Sequence, residues 1–123
     1  MHSVPRRLAA AAILLALLVA GHVSAQSDFL SGFGDLPLMP GLQEQQGASV
    51  SFDTPYGRIV EGVASGSTTT EEVLAFYDET LPALGWQRTG SERFRRDNEV
   101  LTLSFARDAG RLVVRFSLVP PQG

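Results

Sequence analysis

The side chains able to do chemistry in this 123-residue sequence are mainly arginines and carboxylates. Arg93 and Arg95 flank Phe94 in an alternating stretch, so an inward Phe94 turns both guanidinium groups outward. Arg115 falls on the polar side of the last alternating stretch, and Thr102 and Ser104 hold the polar side of the stretch before it. A guanidinium cluster on an open sheet face binds a carboxylate or phosphate through forked, charge-assisted hydrogen bonds. Alternatively, Glu92, Asp97 and Glu99 pair with the same arginines as ordinary surface charges. The doublets Glu71-Glu72 and Asp78-Glu79 do not make a shared-proton pair, because neighbours on a helix point in different directions. Trp86 and Tyr77 either contact a ligand or join the core at a helix–strand junction.

What the sequence lacks narrows the chemistry further. It has no Cys and no Lys, and its two His residues are His2 and His22. Both precede the expected export cleavage site described below. A chain without them has no imidazole base, no Cys or Lys nucleophile and no Ser-His-Asp triad. It has no disulfide and no His or Cys zinc site, and no loop carries calcium-ligand spacing. The expectation is a non-enzyme with no cofactor, no metal and no catalytic residue.

The N-terminus carries an export signal. Arg6 and Arg7 are followed by the apolar run Leu8 to Ala20 and by Val23-Ser24-Ala25, with small residues at the −3 and −1 positions. The run is shorter than the roughly 20 apolar residues of a spanning helix. Cleavage after Ala25 is expected, giving a periplasmic or secreted product with no stable membrane anchor. Removing 25 residues from 123 leaves 98, with eight arginines against thirteen acids and a formal charge of −5. So acidic a product is a poor nucleic-acid binder.

Residues 26–47 read as an arm. Pro37, Pro40 and three glycines between Gly32 and Gly41 oppose a helix or a central strand. Phe33, Leu36, Leu38, Met39 and Leu42 are nonetheless too apolar for a solvated linker. They either pack along the domain or form a docking segment for a partner. The arm precedes a domain over 48–119 and a tail over 120–123.

The elements that must position these residues follow from periodicity. Residues 48–64 read as a hairpin around Asp53-Thr54-Pro55-Tyr56-Gly57. Thr68 and Thr69, with Glu71 and Glu72, supply two overlapping capping boxes. The helix they begin has Val73, Phe76, Tyr77, Thr80, Leu81 and Leu84 on one face, and Pro82 kinks it or loosens its last turn. Trp86 to Val119 reads as a four-stranded meander. The predicted class is α+β: a single helix packed on one face of a mostly antiparallel sheet, roughly β-β-α-β-β-β-β.

Three stretches carry a resemblance: Asp35-Leu36-Pro37-Leu38-Met39-Pro40-Gly41-Leu42, Gly57-Arg58-Ile59-Val60-Glu61, and Phe76-Tyr77 through Leu81-Pro82 to Leu84-Gly85-Trp86. Together they resemble an uncharacterised family of small exported proteobacterial proteins. The resemblance implies an exported α+β domain and no catalytic residues. The expected function is a non-catalytic binding or accessory domain of the cell envelope, monomeric, with an envelope protein as its partner. It would act through the arm or through the arginine face (Arg93, Arg95, Arg115). The alternatives are a carrier or sensor of a small amphiphile held between helix and sheet, and an enzyme working with carboxylates alone.

Overall fold

The computed structural model describes residues 28–121. The export segment and the cut after Ala25 lie outside the described residues. The element order is β1 (Gln43–Glu44), β2 (Val50–Thr54), β3 (Gly57–Gly66), α1 (Thr70–Thr80), a 3-10 turn (Pro82–Leu84), β4 (Gln87–Gly90), β5 (Arg93–Arg96), β6 (Glu99–Asp108) and β7 (Arg111–Val119). This is the α+β class expected: among the described residues, one α-helix against a seven-stranded antiparallel sheet.

The sheet order is β1-β3-β7-β6-β5-β4, with β2 also paired to β3. β1 and β2 share the edge of β3 opposite β7, because both they and β7 pair with the same stretch of β3. The chain therefore leaves β3 through α1, reaches the far edge at β4, and returns strand by strand until β7 closes on β3.

Local chemistry sets the element ends. The Thr69 hydroxyl accepts the Glu72 amide at 3.1 Å, so Thr69 caps α1, and the Thr68 hydroxyl donates to the Glu72 carboxylate at 2.8 Å. Pro82 ends the α-helix: α1 stops at Thr80, and the next turn is 3-10 in type with Pro82 in its first position. Gly85 then takes the left-handed conformation (φ 94°) that reverses the chain into Trp86.

Val60, Leu101, Leu103, Val114, Phe116 and Leu118 are buried on the inner face of the sheet. Val73, Tyr77 and Leu81 lie in one buried cluster with them, and so do Leu30, Phe33, Leu36 and Leu42 of the arm. Each such side chain contributes on the order of 1.5–3 kcal/mol by leaving water. The arm thus covers the core together with the helix. Its first part turns back on itself: the Leu30 amide donates to the Leu36 carbonyl at 3.0 Å, and that of Leu38 to the Asp28 carbonyl at 2.9 Å. Its second part adds β1 to the sheet, pairing Gln43 with Ser65 and Glu44 with Ala64. The arm's sequence reads as an extended segment that packs along the domain and does not single out this short edge strand.

Two glycines of β3 make room for the arm. A Cβ on Gly62 would sit 3.0 Å from the Phe33 ring, and one on Gly66 would run into the Gly41 carbonyl oxygen. No helix among the described residues is long and apolar enough to cross a membrane.

Candidate functional site

The eight arginines of residues 28–121 divide by sheet face. Arg58, Arg88, Arg96 and Arg107 alternate onto the inner face or its rim, and each is engaged. Arg58 donates to Glu99 at 3.0 Å and reaches the Gly32 and Phe33 carbonyls of the arm. Arg88 donates to Asp78 at 2.9 Å. Arg96 holds Asp35 of the arm at 2.9 and 3.2 Å and donates to the Leu84 carbonyl at 3.0 Å. Arg107 donates to the Thr68 and Gly110 carbonyls.

The other four, Arg93, Arg95, Arg111 and Arg115, alternate onto the outer face, and no helix covers that face among the described residues. All four are exposed, and none has an ion pair or a side-chain hydrogen bond among the described residues. Two acids lie close to them without forming an ion pair among the described residues: Asp108 is the cross-strand partner of Arg111, and Glu92 lines a groove with Arg93 and Thr102. Glu99 is committed to Arg58 and stands 3.8 Å from Arg96. Glu61 and Asp108 are the acids whose register puts them on the outer face. A chain of net charge −3 thus presents a face with four arginines and two acids.

Arg93 and Arg95 come together as the alternation around Phe94 requires, since Phe94 is buried. Arg93 lies beside Thr102 and Arg95 beside Val100. With Thr89 on β4 they form the polar wall of a groove of about 430 Å³, whose other wall is Val100, Val119, Pro120 and Pro121. Arg115 does not join them. It pairs with Ser104 on β6, two strands from β5 and one row away from Arg93. Arg111, at the start of β7, was not singled out in the sequence, although its place beside the buried Leu112 puts it on the same polar side.

The arm residues considered as an interaction segment lie elsewhere. Phe33, Leu36 and Leu42 are buried in the core, and Leu38 and Met39 are half-buried against it. The Phe33 and Phe116 rings meet edge to face at 6.3 Å. Tyr77 and Trp86 are core residues as well. The Tyr77 hydroxyl donates to the Pro37 carbonyl at 2.7 Å, and burial pushes its pKa well up. The Arg96 guanidinium lies 4.4 Å over the Trp86 ring, while the buried Trp86 Nε1 has no partner among the described residues. Asp35 and Pro37, Arg58, and Tyr77 with Trp86 join the arm to helix and sheet.

The space between helix and sheet, where an amphiphile was considered, is occupied by Val73, Tyr77 and Leu81 packed with Leu103, Val114 and Phe116. Of the carboxylate doublets, Glu72 serves the helix cap and Asp78 holds Arg88. Among the described residues no group of three or more His, Asp or Glu side chains could hold a metal ion. The Asp35 carboxyl is held below the usual carboxylate range by its hydrogen bonds from Arg96. The pKa displacements of Asp35 and Arg96 come first from the contact between them that fastens the arm, and that of Tyr77 comes from burial. Compared with known proteins, the chain matches no family model, no curated protein and no solved structure.

Proposed function

We propose that this protein is a non-catalytic binding domain, exported to the cell envelope, that engages an anionic partner through the open face of its sheet. One observation carries the reading: among the described residues, the four arginines on that face are free of ion pairs, while the four on the other side are all engaged. Unpaired guanidinium groups present forks of donors that suit carboxylate or phosphate oxygens, and binding need not first break an internal pair. The non-catalytic part rests on composition, since residues 26–123 hold no His, Cys or Lys. Export rests on the positive, apolar and small-residue order of residues 1–25.

Titration of the purified protein with pyrophosphate, following each arginine Nε–H by NMR, tests the reading. Arg93 and Arg95 should shift and saturate, while Arg58 and Arg96 stay in place. Equal small shifts at all eight, without saturation, would defeat it.

A further inference from the structure

From the grooves on the open face we infer that the ligand is a single-chain amphiphile with an anionic head, its head at Arg93 and Arg95 and its chain laid across the strands. The inference rests on the anion-binding reading above and adds the chain. One cross-strand row is apolar from the β2 edge up to Arg95. Phe52 pairs with Ile59, and Val100 pairs with both Val119 and Arg95. Ile59 and Val119 stand one step beyond the pair Val60 and Leu118, so they adjoin. Phe52, at the β2 end of the row, is 53% exposed, and Tyr56, at the tip of the β2–β3 hairpin, is 84% exposed.

Val100, Val119 and Ile59 of the row line two grooves, and Phe52 lies beside Ile59 just outside them. The first is the Arg93–Arg95 groove. The second, of about 580 Å³, is lined by Thr54, Pro55, Tyr56 and Ile59. Val119, Pro120 and Pro121 line both, so the two adjoin. From Val100 to Phe52 the row crosses three strand spacings, about 14 Å, the length of an extended alkyl chain of about 10 to 12 carbons.

The next row shows why the head belongs at one end. It runs Val50, Glu61, Ser117, Thr102, Arg93, so its acid stands three strands from its arginine. An anionic head at the Glu61 end would meet a like charge. At the other end it meets two guanidinium groups and the Thr89 and Thr102 hydroxyls, with Glu92 as the one carboxylate lining the neighbouring groove beside Arg93.

The test compares dodecyl phosphate below its micelle concentration with methyl phosphate and with dodecanol, by NMR shift mapping and calorimetry on the purified protein. Dodecyl phosphate should bind at least about tenfold tighter than methyl phosphate, since chain methylenes leave water. It should shift Val100, Val119, Ile59 and Phe52 as well as the arginines. Phe52→Ser, an exposed change that leaves the core intact, should weaken dodecyl phosphate and spare methyl phosphate. Arg93→Glu with Arg95→Glu should weaken both. Equal affinity for the two phosphates would overturn the chain while leaving the anion-binding reading in place. No binding of either would overturn both. Binding only to vesicles of anionic phospholipid would also overturn the inference, because the face would then recognise a membrane surface and not a single chain.

Discussion

Arg96 grips Asp35 with both terminal nitrogens, at 2.9 and 3.2 Å, while its guanidinium plane covers the Trp86 ring at 4.4 Å. The contact joins residues 61 positions apart and fastens the arm to the sheet edge. Arg96 holds the Asp35 carboxyl below its ordinary pKa, so the pair stabilises the fold above the unfolded carboxylate value near 4 and stops doing so as pH falls through the folded value. Asp35→Asn should therefore lower stability at pH 7 and make little difference near pH 2. With the Asp35 side chain 51% exposed, solvent screening keeps the loss at pH 7 to about 1 kcal/mol or less. Urea unfolding of both proteins at the two pH values checks this, and an equal loss at both would contradict it.

Tyr77 ties helix α1 to the arm from inside the core. Its folded pKa is raised by burial, so its contribution is complete below the unfolded value near 10 and is lost as pH rises beyond it. Tyr77→Phe should cost about 1–3 kcal/mol at pH 7, since it leaves the Pro37 carbonyl without its partner. The variant should also show a flatter decline of stability above about pH 10 than the parent, as measured by unfolding at pH 9 and pH 11.

Removal of the arm should expose the core. Leu30, Phe33, Leu36 and Leu42 each cover apolar surface of the shared cluster. Deletion of residues 26–46 should lower the melting temperature and produce self-association on a sizing column. An unchanged melting temperature with monomeric elution would show that the arm serves a partner instead.

Gly66→Ala tests the same seating with one methyl group. Its Cβ would run into backbone, the Gly41 carbonyl, which cannot rotate aside as a side chain could. The arm should lift locally while the β6–β7 ladder stays formed. Hydrogen exchange should then speed up at the Gln45 amide, which donates to Val63 at 2.7 Å, and remain slow along β7.

Much of this architecture was legible in the sequence because it rests on local period. The alternation of Leu101 with Leu103, and of Leu112 through Leu118, set β6 and β7, and Phe94 turned Arg93 and Arg95 outward. Thr68 and Thr69 both marked a helix start, of which Thr69 is the cap, and Pro82 marked a kink or a loose last turn, which is the 3-10 turn after Thr80. Strand β1 was not legible. It is two residues of a polar stretch, held by main-chain pairing with no side-chain pattern behind it. The contacts Asp35–Arg96 and Tyr77–Pro37 were hidden too, since they span 61 and 40 residues and leave no periodic trace. Strand register placed Arg115 apart from Arg93, and alternation alone does not fix register across neighbouring strands.

The division of the arginines is the centre of the account, and residue-resolved modification by phenylglyoxal tests it most directly. Followed by mass spectrometry, Arg93, Arg95, Arg111 and Arg115 should react well before Arg58 and Arg96. Pyrophosphate should then slow Arg93 and Arg95 and leave Arg111 unchanged. Modification of Arg58 and Arg96 as fast as the outer four, or equal protection of every arginine by pyrophosphate, would contradict the account.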